Sequence, residues 1–222
     1  RILQKDIAME GRRFLGAELK TIFIGGGTPS LFDPSEIKEI LEYIKTQFII
    51  SDDIEITMET NPGSLEYKNL SEYRLAGVNR LSIGAQSFNQ ESLKLLGRIH
   101  GPSEIFSCYE EALLANFESI NIDLMFGLPN QTLEMATEDM RKLIYLNPEH
   151  ISYYQLTLEP NTLFYKKRPK NIPPHNLLYS IHEEGLSFLS KAGYERYEIS
   201  AFAKLGLECR HNINYWMFGD YI

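Results

Sequence analysis

Cysteine is nearly absent from this 222-residue chain, with Cys108 and Cys209 the only two and far apart. Two are too few for a disulfide scaffold and fit a reducing cytosol, so a cytoplasmic protein is expected. They are also too few for any cysteine-only metal site. No apolar run approaches the roughly 20 residues of a membrane helix, and no charged-then-apolar leader opens the chain. Positive charge is in deficit as well: 22 Lys and Arg against 30 Asp and Glu give a net charge of −8. That balance argues against nucleic acid as the main partner, because phosphate backbones are bound by clustered Lys and Arg. The hydrophobic share of 43% is that of an ordinary globular protein with a sizeable core.

The ends are abrupt. Residues 1–16 read as a helix already under way without a start signal, and Gly219-Asp220-Tyr221-Ile222 stop in a turn-like sequence. A piece of a longer chain is expected. Between the ends, five β-like runs begin near Thr21, Ile54, Arg80, Ser119 and His150, at intervals of 33, 26, 39 and 31 residues, each followed by a helical pattern. That rhythm marks repeated βα units and a parallel sheet. Asp33-Pro34-Ser35-Glu36 supplies a cap, a first-turn proline and a capping-box glutamate ahead of Ile37, Ile40, Leu41 and Ile44. A second apolar stripe, Leu133 to Ile144, follows Thr132, and a further helix is expected over about 175–192.

Three of the strands alternate. Ile54, Ile56 and Met58 interleave with Glu55, Thr57 and Glu59; Leu81, Ile83 and Ala85 with Ser82, Gly84 and Gln86; Ile120, Ile122 and Leu124 with Asn121 and Asp123. Successive strand side chains point to opposite faces, so these strands share one apolar and one polar face. A doubly wound sheet would read as near-continuous apolar runs. The pattern fits an incomplete parallel barrel of the α/β class, with helices outside and a lumen polar enough for a ligand. A one-sided sheet with its polar face in water is the alternative. After about residue 193 the rhythm changes: 194–202 reads as a strand, and Cys209–Trp216 leaves no room for another βα unit. The expected division is a barrel core over 1–192 and the start of a small subdomain over 193–222.

Gly25-Gly26-Gly27-Thr28-Pro29-Ser30 joins the first strand to the capped helix. Such glycines leave backbone groups open to a polar ligand. It is neither a P-loop nor a dinucleotide fingerprint. Taken alone, a tight structural turn explains it equally well. Glu59, Gln86 and Asp123 lie on the polar faces near the C-terminal strand ends, the rim on which βα barrels build their sites. Each alone is more economically a satisfied structural group. Three on one wall beside a glycine loop favour a binding site.

Together these stretches resemble the HemN/HemW branch of the radical S-adenosylmethionine (SAM) family. The likeness runs through Phe23–Ser30, Glu59-Thr60-Asn61-Pro62, Asn79–Phe88, Leu96–His100 and Asn121–Pro129, in matching order over nearly the whole chain. It implies a partial (β/α) barrel binding SAM at the C-terminal strand ends. Gly26, Gly27 and Thr28 would hold the methionine end. Glu59, Gln86, Arg98 and Asp123 would be polar contacts, and Thr157, on the last barrel strand, a weaker backbone contact. For Arg98 the sequence by itself favours a solvated helix-end arginine.

The family also carries a C-x-x-x-C-x-x-C loop whose thiolates hold a [4Fe–4S] cluster. No such loop is present, and its cysteines are expected upstream of Arg1. Cys209-Arg210-His211-Asn212-Ile213-Asn214-Tyr215-Trp216 resembles the H-N-x-x-Y-W motif of HemW-type heme chaperones. A histidine can ligate heme iron, while Tyr215 and Trp216 can cover a porphyrin face. A buried aromatic cluster is the simpler alternative. His100, His150, His175 and His182 receive a structural reading, and Cys209 no role. Three functions stay open: a heme chaperone with heme, SAM, a cluster and a heme-acceptor protein as partners; an oxygen-independent coproporphyrinogen III oxidase; and an unrelated barrel enzyme with a polar lumen.

Overall fold

The computed structural model describes residues 1–63 and 70–222. Seven strands form one sheet in the order β1-β2-β3-β4-β5-β7-β6. The first five, β1 (Glu18–Ile24), β2 (Ile49–Thr60), β3 (Arg80–Gln86), β4 (Ser119–Phe126) and β5 (His150–Gln155), run parallel. The sheet curls into a half-barrel and does not close, as the alternating strands predict.

The helices lie where their punctuation sets them. Helix α1 (Ile2–Arg13) precedes β1, and α2 (Pro34–Gln47) follows it. The α2 start carries the full capping box: Asp33 Oδ1 accepts from Ser35 N at 2.9 Å, and Glu36 Oε2 from Asp33 N at 3.2 Å. Next come α3 (Leu70–Ala76), α4 (Gln90–Leu95), α5 (Pro102–Leu114) and α6 (Leu133–Leu146), the last capped by Thr132 and ended by left-handed Asn147. A short α7 (Leu163–Lys166) and the long α8 (His175–Lys191) complete the outer layer.

The apolar strand faces meet this layer. Met58, Leu81, Ile83, Ile120, Ile122 and Ile151 are fully buried against Ile37, Leu41, Ile105, Leu143 and Ile181. Each such side chain contributes about 1.5–3 kcal/mol by leaving water. The opposite, polar faces are buried too, with Thr57, Arg80, Ser82, Asn121 and His150 all inside. The polar face is therefore a lumen and not a solvated sheet surface.

The strand expected over 194–202 is interrupted. Two short pieces remain, β6 (Glu195–Arg196) and β7 (Ala201–Ala203), and β7 runs antiparallel to both β5 and β6. Local polar bonds break the run. Glu198 Oε1 accepts from Ser200 N at 3.0 Å, Arg196 Nε donates to Glu198 O at 3.0 Å, and Arg196 Nη2 donates to Ile199 O. The chain then leaves the β5 side of the half-barrel, and helix α9 (Arg210–Trp216) meets Glu55 and Thr21, a mid-strand pair of β2 and β1.

Candidate ligand cleft and the segment beneath it

A cleft of about 270 Å3 opens at the C-terminal ends of the parallel strands, near the lower end of small-molecule sites. Its wall includes Gly27, Thr28, Glu59, Gln86, Arg98 and Asp123. The glycine loop forms the rim over β1. Gly26 and Gly27 have φ of +82° and +67°, with nothing within 4 Å of where a Cβ would sit. Glycine is needed there for the backbone and leaves its polar groups uncovered. Gly26 N donates to Glu59 Oε2 at 3.1 Å, tying the loop to the end of β2.

Arg98 reaches the cleft through a turn at the end of α4. Gly97 (φ +72°) follows the C-cap Leu96, its N–H bonds Lys94 O at 3.0 Å, and Arg98 N bonds Leu93 O at 2.9 Å. This pair of bonds is a Schellman motif. The guanidinium then donates to Asn61 Oδ1 at 2.9 Å, so it is a cleft side chain and not a solvated helix-end arginine. Gln86 enters from the end of β3, where the register shifts, and Tyr154 Oη donates to its Oε1 at 2.8 Å. Thr157 lies two residues past β5, is exposed, and is not part of the cleft wall. The expected place on the last barrel strand is thus corrected: the strand ends at Gln155, where the chain leaves the sheet.

Below the cleft a directed hydrogen-bond chain crosses the lumen. Asn121 Nδ2 donates to Asp123 Oδ1 at 2.7 Å and to Ser82 Oγ at 2.8 Å. Asn121 Oδ1 accepts from Ser152 Oγ at 3.1 Å and meets His150 Nδ1 at 2.7 Å. An amide oxygen can only accept, so His150 carries its proton on Nδ1. Its Nε2, 2.7 Å from Tyr197 Oη, then accepts from the phenol when the ring is neutral. Burial first, and the Arg80 charge second, hold the His150 pKa well below its ordinary value, so the ring is neutral at pH 7. Tyr197 Oη in turn accepts from Cys209 N at 3.3 Å and Asn212 Nδ2 at 3.1 Å. The chain of donors ends on Asp123, which lines the cleft. Burial raises the Asp123 pKa, opposed by the hydrogen bond that Asn121 donates.

His211, Tyr215 and Trp216 lie on α9, outside the cleft wall and below its β1 side. Glu55 accepts from Arg210 N at 3.0 Å and His211 N at 3.1 Å, capping the first turn of α9 with a carboxylate. The His211 ring stacks on Phe23 at 5.1 Å and meets the Tyr215 edge at 5.2 Å. Its Nδ1 is 3.1 Å from Thr21 Oγ1, and with the proton on Nδ1 the Nε2 lone pair is left over. Burial lowers its pKa, which favours the neutral ring. Tyr215 and Trp216 are about half exposed, at 48% and 51%.

The structure gathers Gly27, Thr28, Glu59, Gln86, Arg98 and Asp123 into one cleft, with Gly26 one bond away. It places His211, Tyr215 and Trp216 together elsewhere. Sequence reasoning passed over Asn61, Ser82 and Gly84 on the cleft wall. It also passed over the support from Asn121, Tyr154 and Tyr197, while His150 is the structural histidine it was expected to be. The period-2 parity of β3 and β4 already put Ser82, Gly84 and Asn121 on the polar face. Nothing local marked Tyr197, whose partner is 47 residues away. Cys108 and Cys209 are both buried, and among the described residues no group of three or more His, Cys, Asp or Glu side chains is set to hold a metal.

The sequence pattern of the radical SAM superfamily matches residues 2–143. The chain is 52% identical over 207 residues to the heme chaperone HemW of Escherichia coli (strain K12), covering 93% of this chain and 54% of that protein. It is 38% identical to the radical S-adenosyl methionine domain-containing protein 1, mitochondrial, of Mus musculus, covering 92% and 47%. Among solved structures, the radical SAM enzyme coproporphyrinogen III oxidase (HemN) from Escherichia coli superposes with a TM-score of 0.84 at 30% identity, over 92% of this chain and 48% of that one. The chain spans about half the length of the curated relatives it matches. These matches remove the reading as an unrelated barrel: the chain belongs to the radical SAM superfamily.

Proposed function

We propose that the cleft binds SAM and that the whole protein is a heme chaperone of the HemW type. The observation that carries the SAM reading is the convergence of Glu59, Gln86, Arg98 and Asp123 beside a glycine rim. Gly26, Gly27 and Thr28 would take the amino-acid end of SAM through exposed backbone and a hydroxyl. Carboxylates are suited to its ammonium and ribose hydroxyls, the amide of Gln86 to groups that donate and accept, and Arg98 to a carboxylate. The assignment of Thr157 rests on the resemblance alone. A [4Fe–4S] cluster, when bound, supplies the electron for SAM cleavage in this superfamily. The two buried cysteines of this chain do not fit its thiolate set. In the proposed division, 1–192 is the barrel core and 193–222 opens a C-terminal subdomain.

The heme reading rests on a neutral His211 with one nitrogen committed to Thr21, beside half-exposed Tyr215 and Trp216. A metal-ligating histidine ordinarily donates its other nitrogen to an oxygen, and these residues suit heme iron on that count. Handing heme to an acceptor protein belongs to this proposal. The experiment is a heme titration of the full-length protein beside His211→Ala. A Soret shift in wild type that the variant lacks is expected. A wild-type protein with no shift that turns over coproporphyrinogen supports instead an oxidase, a second reading favoured by the 0.84 TM-score to HemN.

A further inference from the structure

Gln86 occupies a strained place. Of the seven non-glycine residues with positive φ among the described residues, five are asparagines, which tolerate that region; Gln86, at φ +70°, does not belong to them. The Ser87 N–H closes back on Ala85 O at 2.9 Å around it, which makes a γ-turn, a rare and strained conformation. Such a turn persists only when its surroundings hold it.

What holds it comes from outside the barrel. Asp139, on α6, is 3% exposed. Its Oδ2 accepts from Ser87 Oγ at 2.6 Å and its Oδ1 from Phe88 N at 2.8 Å, so one buried carboxylate fixes the two residues after Gln86. Ser87 Oγ also accepts from Asn89 N at 3.0 Å, and Asn89 Oδ1 caps α4 by accepting from Glu91 N and Ser92 N. Helix α4 is the element whose Schellman turn delivers Arg98. Two side chains of the cleft thus hang on one anchor that is not itself part of the cleft wall.

We infer that Asp139 is a positioning residue for the cleft, holding Gln86 and Arg98 in the geometry that ligand binding requires. This rests on the reading of the cleft as a SAM site. Burial pushes the Asp139 carboxyl up to about 6, against its bonds from Ser87 and Phe88 and the charge of Lys142. The charged and titratable groups facing it are Lys142 and Glu138 on α6 itself and Tyr153 on β5. Ionised, Asp139 accepts both bonds. Protonated, it accepts one and must donate the other, which disturbs Ser87.

The test is SAM titration of the full-length protein, followed by calorimetry, with Asp139→Asn. Asparagine imitates the protonated acid, with one acceptor and one donor. At pH 7.5 it is expected to weaken SAM binding about tenfold, the scale of one charge-assisted hydrogen bond. Its thermal midpoint should be no lower than wild type. On lowering the pH to 5.5 the ratio of the two dissociation constants should shrink toward one. An Asp139→Asn protein that is folded and binds SAM as wild type does at pH 7.5 overturns the inference. If that variant does not fold, Ser87→Ala removes one of the two bonds and leaves the charge; unchanged affinity there overturns the inference equally. A wild-type protein that binds no SAM at any pH is a different result, which removes the SAM reading and the inference with it.

Discussion

Asp123, half-buried on the cleft wall, and Asp139, buried on α6, are two carboxylates with different tasks. Asp123 ends the donor chain from Tyr197 through His150 and Asn121 and lines the cleft. Asp123→Asn replaces a pure acceptor by a mixed group, and SAM affinity in a calorimetric titration is expected to fall at least about tenfold. For Asp139 burial pushes the folded pKa up to about 6, above the ordinary aspartate value of 3.8. Its contribution to stability is full below the unfolded value and is lost as pH rises through about 6. Asparagine cannot ionise, so Asp139→Asn is expected to be more stable than wild type at pH 7.5, by up to about 3 kcal/mol. That gap should narrow as pH falls through 6 in urea unfolding curves. Gain of stability with loss of affinity is the signature of a group kept for function. His150 has the opposite sign: its depressed pKa favours the folded state above about 6.5, and that support is lost as pH falls.

Elements were legible where their signals are local. The capping box at Asp33, the stripe after Thr132 and the period-2 faces of β2, β3 and β4 all reappear in the structure. The run over 194–202 misled because its apolar and aromatic residues imitate a strand, while Glu198, Arg196 and Ser200 bond locally and turn Tyr197 into the lumen. Tyr197→Phe removes the acceptor of Cys209 N and Asn212 and the donor to His150. A loss of about 1–3 kcal/mol in chemical unfolding is expected. Arg98 shows a similar limit. Gly97 announces a helix end, but only the three-dimensional turn shows that the next side chain swings to Asn61. Gly97→Ala at φ +72° is expected to cost about 1 kcal/mol and to weaken SAM binding by displacing Arg98, read by titration beside an unfolding curve.

At the scale of the whole molecule, the half-barrel carries two candidate sites one above the other on its β1 side. The cleft sits at the C-terminal strand ends, and α9 with His211 sits below it, beside Thr21, Glu55 and Phe23. The sequence carried both as residue patterns, yet nothing in their order told that the His211 ring stacks on Phe23, two residues before the glycine loop. Burial of Thr57, Arg80, Ser82, Asn121 and His150 is what turns an alternating pattern into an interior. The account stands on that cleft being the SAM site. Its most direct test is calorimetric titration of SAM into the full-length protein, reconstituted anaerobically with iron and sulfide, beside Gln86→Ala. Saturable one-site binding that weakens about tenfold or more in the variant is predicted. Equal affinity in a folded variant, or no binding by wild type, would contradict the account.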